Sequence, residues 1–139
     1  MSDMDKAAQE VKLTSAKVAN QLVQVYYDAL QNNRPNMMNF YAPTATVTWS
    51  GFNYDSVQSF FAEFMSNLPS ISVNLSSVDA QAVLSHVIGP STPSLITILI
   101  LGTISFGSEP AENFSQTLVI QADPGTTMFR IVRDVFRLV

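Results

Sequence analysis

A chain of 139 residues with 47% hydrophobic and 13% charged side chains suits one domain with a single core, under a surface poor in ions. The net charge is −4 with seven Lys and Arg in all, so direct binding to nucleic acid, which draws its affinity from neutralised phosphates, is not expected. No Cys and one His exclude disulfides, thiol catalysis and a Cys/His structural zinc site; no metal or cofactor is expected.

The N-terminus, Met-Ser-Asp-Met-Asp-Lys, is polar and lacks the apolar segment of a signal peptide; the first six residues are expected to lie outside the ordered domain. Ala7 to Leu30 has helical periodicity, with Val11, Val18, Leu22, Val25, Tyr26 and Ala29 on one side. A short helix is predicted from Pro35 to Tyr41, and Ala42-Pro43 stops it. Thr44 to Trp49 alternates Ala45, Val47 and Trp49 with Thr44, Thr46 and Thr48, a strand with one apolar and one hydroxylic face. After the Ser50-Gly51 turn, Asp55 reads as an N-cap with Gln58 three residues on. The helix it opens carries Val57, Phe60, Phe61, Phe64, Met65 and Leu68 on one side and ends at Pro69.

Strands follow: Ile71 to Leu84, a loop through Gly89-Pro90 and Pro93, Ser94 to Phe106, Phe114 to Ala122, and Met128 to Leu138. Connections this short favour antiparallel pairing of neighbours. Helices first and a strand meander later predict a single α+β domain with helices packed on one face of a sheet.

The strand from Ser94 to Phe106 poses the functional question. Its even positions, Ile96, Ile98, Ile100, Gly102, Ile104 and Phe106, form an apolar core face, while Leu95, Leu99 and Leu101 interrupt the polar residues on the other. Leaving three leucines wet forgoes roughly 5–9 kcal/mol at about 1.5–3 per side chain, so a cover for that face is expected. The Leu95–Leu101 run is far shorter than the ~20 residues that span a bilayer, so a soluble cytoplasmic or nuclear protein is expected.

Candidate catalytic groups are few. His86 reads as a solvated loop residue, and neither a phosphate-cradling glycine loop nor a nucleophile elbow is present. Trp49 reads as a core aromatic or the rim of a cavity, and Tyr26 and Tyr27 as core and edge residues of the first helix. Asp79, Arg133, Asp134 and Arg137 sit inside strands among apolar neighbours, where a charge is costly unless paired. Either they are ordinary, partly exposed charges lining a sheet face, or some of them meet complementary charges on another chain. Periodicity leaves open whether Phe129/Ile131/Arg133/Val135/Arg137 or Met128/Arg130/Val132/Asp134/Phe136/Leu138 faces the core.

Several segments, in order, resemble the nuclear transport factor two family. They are Val-Tyr-Tyr-Asp-Ala-Leu, Phe-Tyr-Ala-Pro-Thr-Ala-Thr-Val-Thr-Trp-Ser-Gly, Phe-Phe-Ala-Glu-Phe-Met-Ser-Asn-Leu-Pro, Val-Asp-Ala-Gln-Ala-Val, Phe-Ser-Gln-Thr-Leu-Val-Ile and Arg-Ile-Val-Arg-Asp-Val-Phe-Arg-Leu. The resemblance runs from about Val18 to Leu138. It implies a cone-shaped α+β fold, a bent antiparallel sheet against three helices, with members dimerising sheet to sheet.

Within the family, the branch that carries GDP-bound Ran into the nucleus has an acidic residue directly after the Trp and acidic residues in the loop before Phe114; here stand Ser50 and only Glu109. The enzymes of the family, such as ketosteroid isomerase and scytalone dehydratase, need acid–base residues inside the cone, and Tyr26, Asp79 and Asp134 do not combine into a convincing set. The pattern is most similar to the small subunit of the heterodimeric TAP/NXF messenger-RNA export receptor. That resemblance implies a non-enzymatic chain that stabilises the related domain of the large subunit for binding to nuclear-pore phenylalanine-glycine repeats. It also implies a shuttling location between nucleus and cytoplasm and at the nuclear envelope. Asp79 and Arg137 correspond to its ion-pairing positions, and the Arg133/Val135/Arg137 face becomes the partner side. The expected partner-binding residues are Asp79, Gln81, Thr97, Leu99, Leu101, Thr117, Val119, Arg133, Val135 and Arg137.

Overall fold

The computed structural model describes residues 2–83, 93–124, 126 and 128–139. His86, Leu84 and the Gly89-Pro90 loop therefore lie outside the described residues.

Helix α1 spans Asp3–Asn32. It starts before the predicted Ala7 and takes in residues 3–6, because Ser2 and Asp5 form a reciprocal capping box: Asp5 N donates to Ser2 Oγ at 3.1 Å and Ser2 N to Asp5 Oδ2 at 3.3 Å. Its buried stripe runs through Ala19, Val23, Tyr26, Tyr27 and Leu30. This is rotated slightly from the predicted one, leaving Val18 and Leu22 at its edge and Val25 48% exposed.

The short helix predicted from Pro35 to Tyr41 is present as a 3-10 helix, Arg34–Phe40. Helix α2 covers only Val57–Glu63. Its N-cap is Ser56, whose Oγ accepts from Ser59 N at 3.1 Å, and not Asp55. The chain leaves α-geometry at Phe64 and makes one 3-10 turn, Met65–Asn67, so the predicted long helix is two pieces. Arg34 secures that end by donating to the carbonyls of Met65 at 3.1 Å, Leu68 at 2.7 Å and Pro69.

The strands are β1 (Tyr41–Trp49), β2 (Phe52–Tyr54), β3 (Ile71–Ala82), β4 (Leu95–Phe106), β5 (Glu112–Ala122) and β6 (Phe129–Leu138). They form one sheet in the order β2-β1-β6-β5-β4-β3. β3 to β6 pair antiparallel as predicted, but β1 joins β6 in parallel, so the sheet is mixed. β2 was not predicted: it is three residues long, too short to show periodicity. It folds back on β1 through Ser50 and Gly51, both at positive φ (49° and 91°), as a tight two-residue hairpin requires.

Helix α1 crosses β3 and β4, and α2 packs on β1 and β2, all on one side. The even face of β4 is core, with Ile96, Ile98, Ile100 and Ile104 fully buried. Trp49 is 2% exposed and stacks on Phe136 at a centroid distance of 3.9 Å, so it fills the core and rims no cavity.

The sheet bends where the ladder slips. Ser76 is an extra residue between the Leu75–Gly102 and Ser77–Leu101 pairs, and Val132 one between Ile131–Ile120 and Arg133–Val119. A bulge exchanges the two faces of a strand. Hence Ile131 points inward, but so do Asp134 and Phe136, and neither face read from simple alternation is wholly core. At the β3 bend a Cβ on Gly102 would stand 2.3 Å from the Asn74 carbonyl oxygen, so only Gly fits.

Candidate partner face and the polar cluster behind it

After its bulge β3 turns Ser77, Asp79 and Gln81 to the side away from the helices. There they continue rows across the sheet. Asp79 stands opposite Leu99, Leu99 opposite Thr117, and Thr117 opposite Val135. Gln81 is followed by Thr97, Val119 and Arg133, and Leu101 by Ser115 and Arg137. The residues expected to bind a partner thus share one face. Leu99 is 43% and Leu101 41% exposed in the middle of it, without cover from the chain's own helices.

The charges on this face are not alike. Asp79 and Arg137 are exposed and lie three strands apart and two residues out of row, about 16 Å at ~4.8 Å per strand and ~3.4 Å per residue. Among the described residues the one ion pair is Arg130 with Asp123, at 2.8 Å, and neither Asp79 nor Arg137 has an ion-pair partner there. Arg133 is half-buried and lies over β1, donating to Thr46 Oγ1 at 3.0 Å and Thr48 Oγ1 at 2.7 Å.

On the other side of the sheet lies a cluster that strand alternation did not reveal. Asp134 is fully buried, and Asp79 is not near it because the two occupy opposite faces. Asp134 Oδ2 accepts from Tyr41 OH at 2.6 Å and Tyr26 OH at 3.0 Å, and Oδ1 from Gln116 Nε2 at 2.8 Å. Gln116 also donates to Tyr26 OH at 2.9 Å and accepts from Tyr27 OH. Burial pushes the Asp134 carboxyl above its ordinary range, and the bonds from Tyr41, Gln116 and Tyr26, with the nearby Arg133 charge, pull it part of the way back. Burial likewise raises Tyr26, Tyr27 and Tyr41, with the Asp134 charge adding to each. These hydroxyls stay protonated and serve as donors. Every bond in the cluster is to another member, so it ties α1, β1, β5 and β6 together and keeps its groups from solvent. Its signal in the sequence was Gln116, a lone amide on the apolar face of Phe114, Leu118 and Ile120.

Residues 18–138 match the nuclear transport factor 2 (NTF2) domain. The chain belongs to this family. NTF2-related export protein 1 from Bos taurus is 33% identical over 127 residues, covering 88% of this chain and 87% of that protein. NTF2-related export protein from Caenorhabditis elegans is 26% identical over 140 residues, covering 96% and 97%. Among solved structures, nuclear transport factor 2 from Cryptosporidium parvum superposes with a TM-score of 0.75 at 24% identity, over 91% of this chain and 95% of that one. The NTF2 fold is therefore shared along nearly the whole chain: a bent six-stranded sheet against helices, not closed into a barrel. The same fold also carries a scytalone dehydratase-like protein at a TM-score of 0.70, so fold by itself does not assign chemistry.

Proposed function

We propose that this chain is the non-enzymatic subunit of a heterodimeric nuclear mRNA export receptor. It pairs its outer sheet face with the related domain of a TAP/NXF large subunit and stabilises that domain for nuclear-pore phenylalanine-glycine repeats. The chain shuttles between nucleus and cytoplasm and gathers at the nuclear envelope. The observation that carries this reading is the pair Leu99 and Leu101, uncovered at the centre of a face flanked by Asp79 and Arg137, neither with an ion-pair partner among the described residues. Relatives bearing the name NTF2-related export protein support it.

On this reading Leu99, Leu101, Val119 and Val135 supply affinity by apolar burial, and Asp79 and Arg137 select the partner. Removing one member of a desolvated pair costs about 2–5 kcal/mol. The test is light scattering of the chain alone and mixed with the NTF2-like domain of a TAP/NXF receptor. A one-to-one complex that Arg137→Glu weakens supports the reading. Retention of the chain on GDP-loaded Ran, with no such complex, would replace it with the import-carrier function. Turnover of a small molecule that is lost on substituting Asp134 would replace it with an enzyme.

A further inference from the structure

Arg133 is a cation with a set posture and, among the described residues, no ion-pair partner. The parallel register of β1 and β6 puts Thr46 beside Arg133 and Thr48 beside Val135. Both hydroxyls are on the outer face, because Ala45, Val47 and Trp49 take the inner one. Thr48 donates its own hydroxyl proton to Asn53 Oδ1 at 2.7 Å, which turns its lone pairs toward Arg133. The result is a hydrogen-bonded string from β6 over β1 to β2. It fixes the guanidinium by two bonds to neutral oxygens, with no carboxylate in contact on the outer face among the described residues. A guanidinium carries more N–H donors than the two spent here.

We infer that Arg133, held by Thr46 and Thr48, is a preset carboxylate-reading site, and that the partner reaches across β1 to place an Asp or Glu side chain against it. This rests on the proposed pairing through this face. The argument is one of charge. A partner that covered Leu99, Val119 and Val135 would also remove water from Arg133, in the same row as Val119. The Asp134 carboxyl feels this charge from the far side of the sheet but makes no bond to it, so a partner that dries the outer side favours Arg133 most by bringing an anion of its own. Fixing the side chain before encounter lowers the rotamer entropy lost on binding, and the planar fork matches a carboxylate bidentately. Thr46 and Thr48 are positioning residues for that contact. Nucleic-acid phosphate is disfavoured as the anion by Asp79 on the same face and by the net charge of −4.

The experiment measures affinity for the NTF2-like domain of a TAP/NXF receptor by calorimetry, with circular-dichroism melting of each free variant. Arg133→Met should weaken binding roughly 30-fold or more, and Arg133→Lys nearly as much, because the ammonium lacks the fork. Thr46→Val with Thr48→Val should weaken it roughly tenfold, and Thr46→Ser with Thr48→Ser should restore it, while the free chains melt alike. Arg133→Glu should be rescued by reversing one acidic residue of the partner to Arg. If the wild-type chain forms no complex, the heterodimer reading fails and this inference with it. If the wild type binds and the Arg133→Met and valine variants bind as tightly, or no acidic reversal rescues Arg133→Glu, this inference alone fails. Binding of a single-stranded RNA oligonucleotide that depends on Arg133 would overturn it in favour of phosphate.

Discussion

Arg133 and Asp134 are neighbours in sequence that point through opposite sides of the sheet, one bonded to threonines on the outside, the other sealed among tyrosines within. The bulge at Val132 decides which is which. A single charged dipeptide on β6 thereby serves both the open face and the core, and variants of the two should separate binding from stability.

Substitutions at the open face should leave the free chain folded. Leu99→Ser and Leu101→Ser remove exposed methyl groups, so urea unfolding should move by no more than about 0.5 kcal/mol each. Binding to the TAP/NXF domain should fall by about 1–2 kcal/mol per leucine, read by calorimetry. A loss of stability matching the loss of affinity would count against a docking role for this face.

The buried carboxyl predicts an unusual pH dependence. Its folded value lies above its unfolded value, so the folded chain binds that proton more tightly. The Asp134 contribution to stability is therefore largest near the unfolded carboxyl range, about pH 4, and falls as pH rises through the folded value, levelling off above it. Urea unfolding of wild type and Asp134→Asn from pH 4 to 8 isolates this term. The difference in stability, wild type minus variant, should grow as the pH is lowered.

Tyr41→Phe and Gln116→Leu test the cluster as a clamp. Each removes a donor to a buried carboxylate, and the Gln116 variant also strands the Tyr27 hydroxyl. Losses of about 1.5–3 kcal/mol for Tyr41→Phe and somewhat more for Gln116→Leu are expected by urea denaturation. Combined, the two should fall short of additivity, because they share Asp134.

Gly102→Ala should destabilise by about 1–3 kcal/mol or more, since its methyl group would meet the Asn74 carbonyl and the Phe114 ring. Thermal unfolding checks this. The same change at Gly51 meets no neighbouring atom and should cost only the strain of its positive φ.

Much of the fold is legible in the sequence. The isoleucines of β4 occur on alternate residues, and only a strand with one buried face explains that spacing together with the leucines opposite. Alternation and helical spacing are properties of a local backbone, so they survive folding and determine which elements exist and that one face of β4 asks for cover. Where the pattern broke down, the cause was in most places a contact from elsewhere in the chain. Arg34 holds the carbonyls of Met65 and Leu68 in the 3-10 turn that follows α2, whereas the Ser56 cap and the Ser50-Gly51 hairpin that makes β2 are local choices among neighbouring candidates. The face of β6 turned on Val132, a bulge that pairing with β5 imposes. The union of Tyr26, Tyr41, Gln116 and Asp134, and of Arg133 with Thr46 and Thr48, likewise appeared only with the sheet, because hydrogen bonds between distant segments obey register and not periodicity.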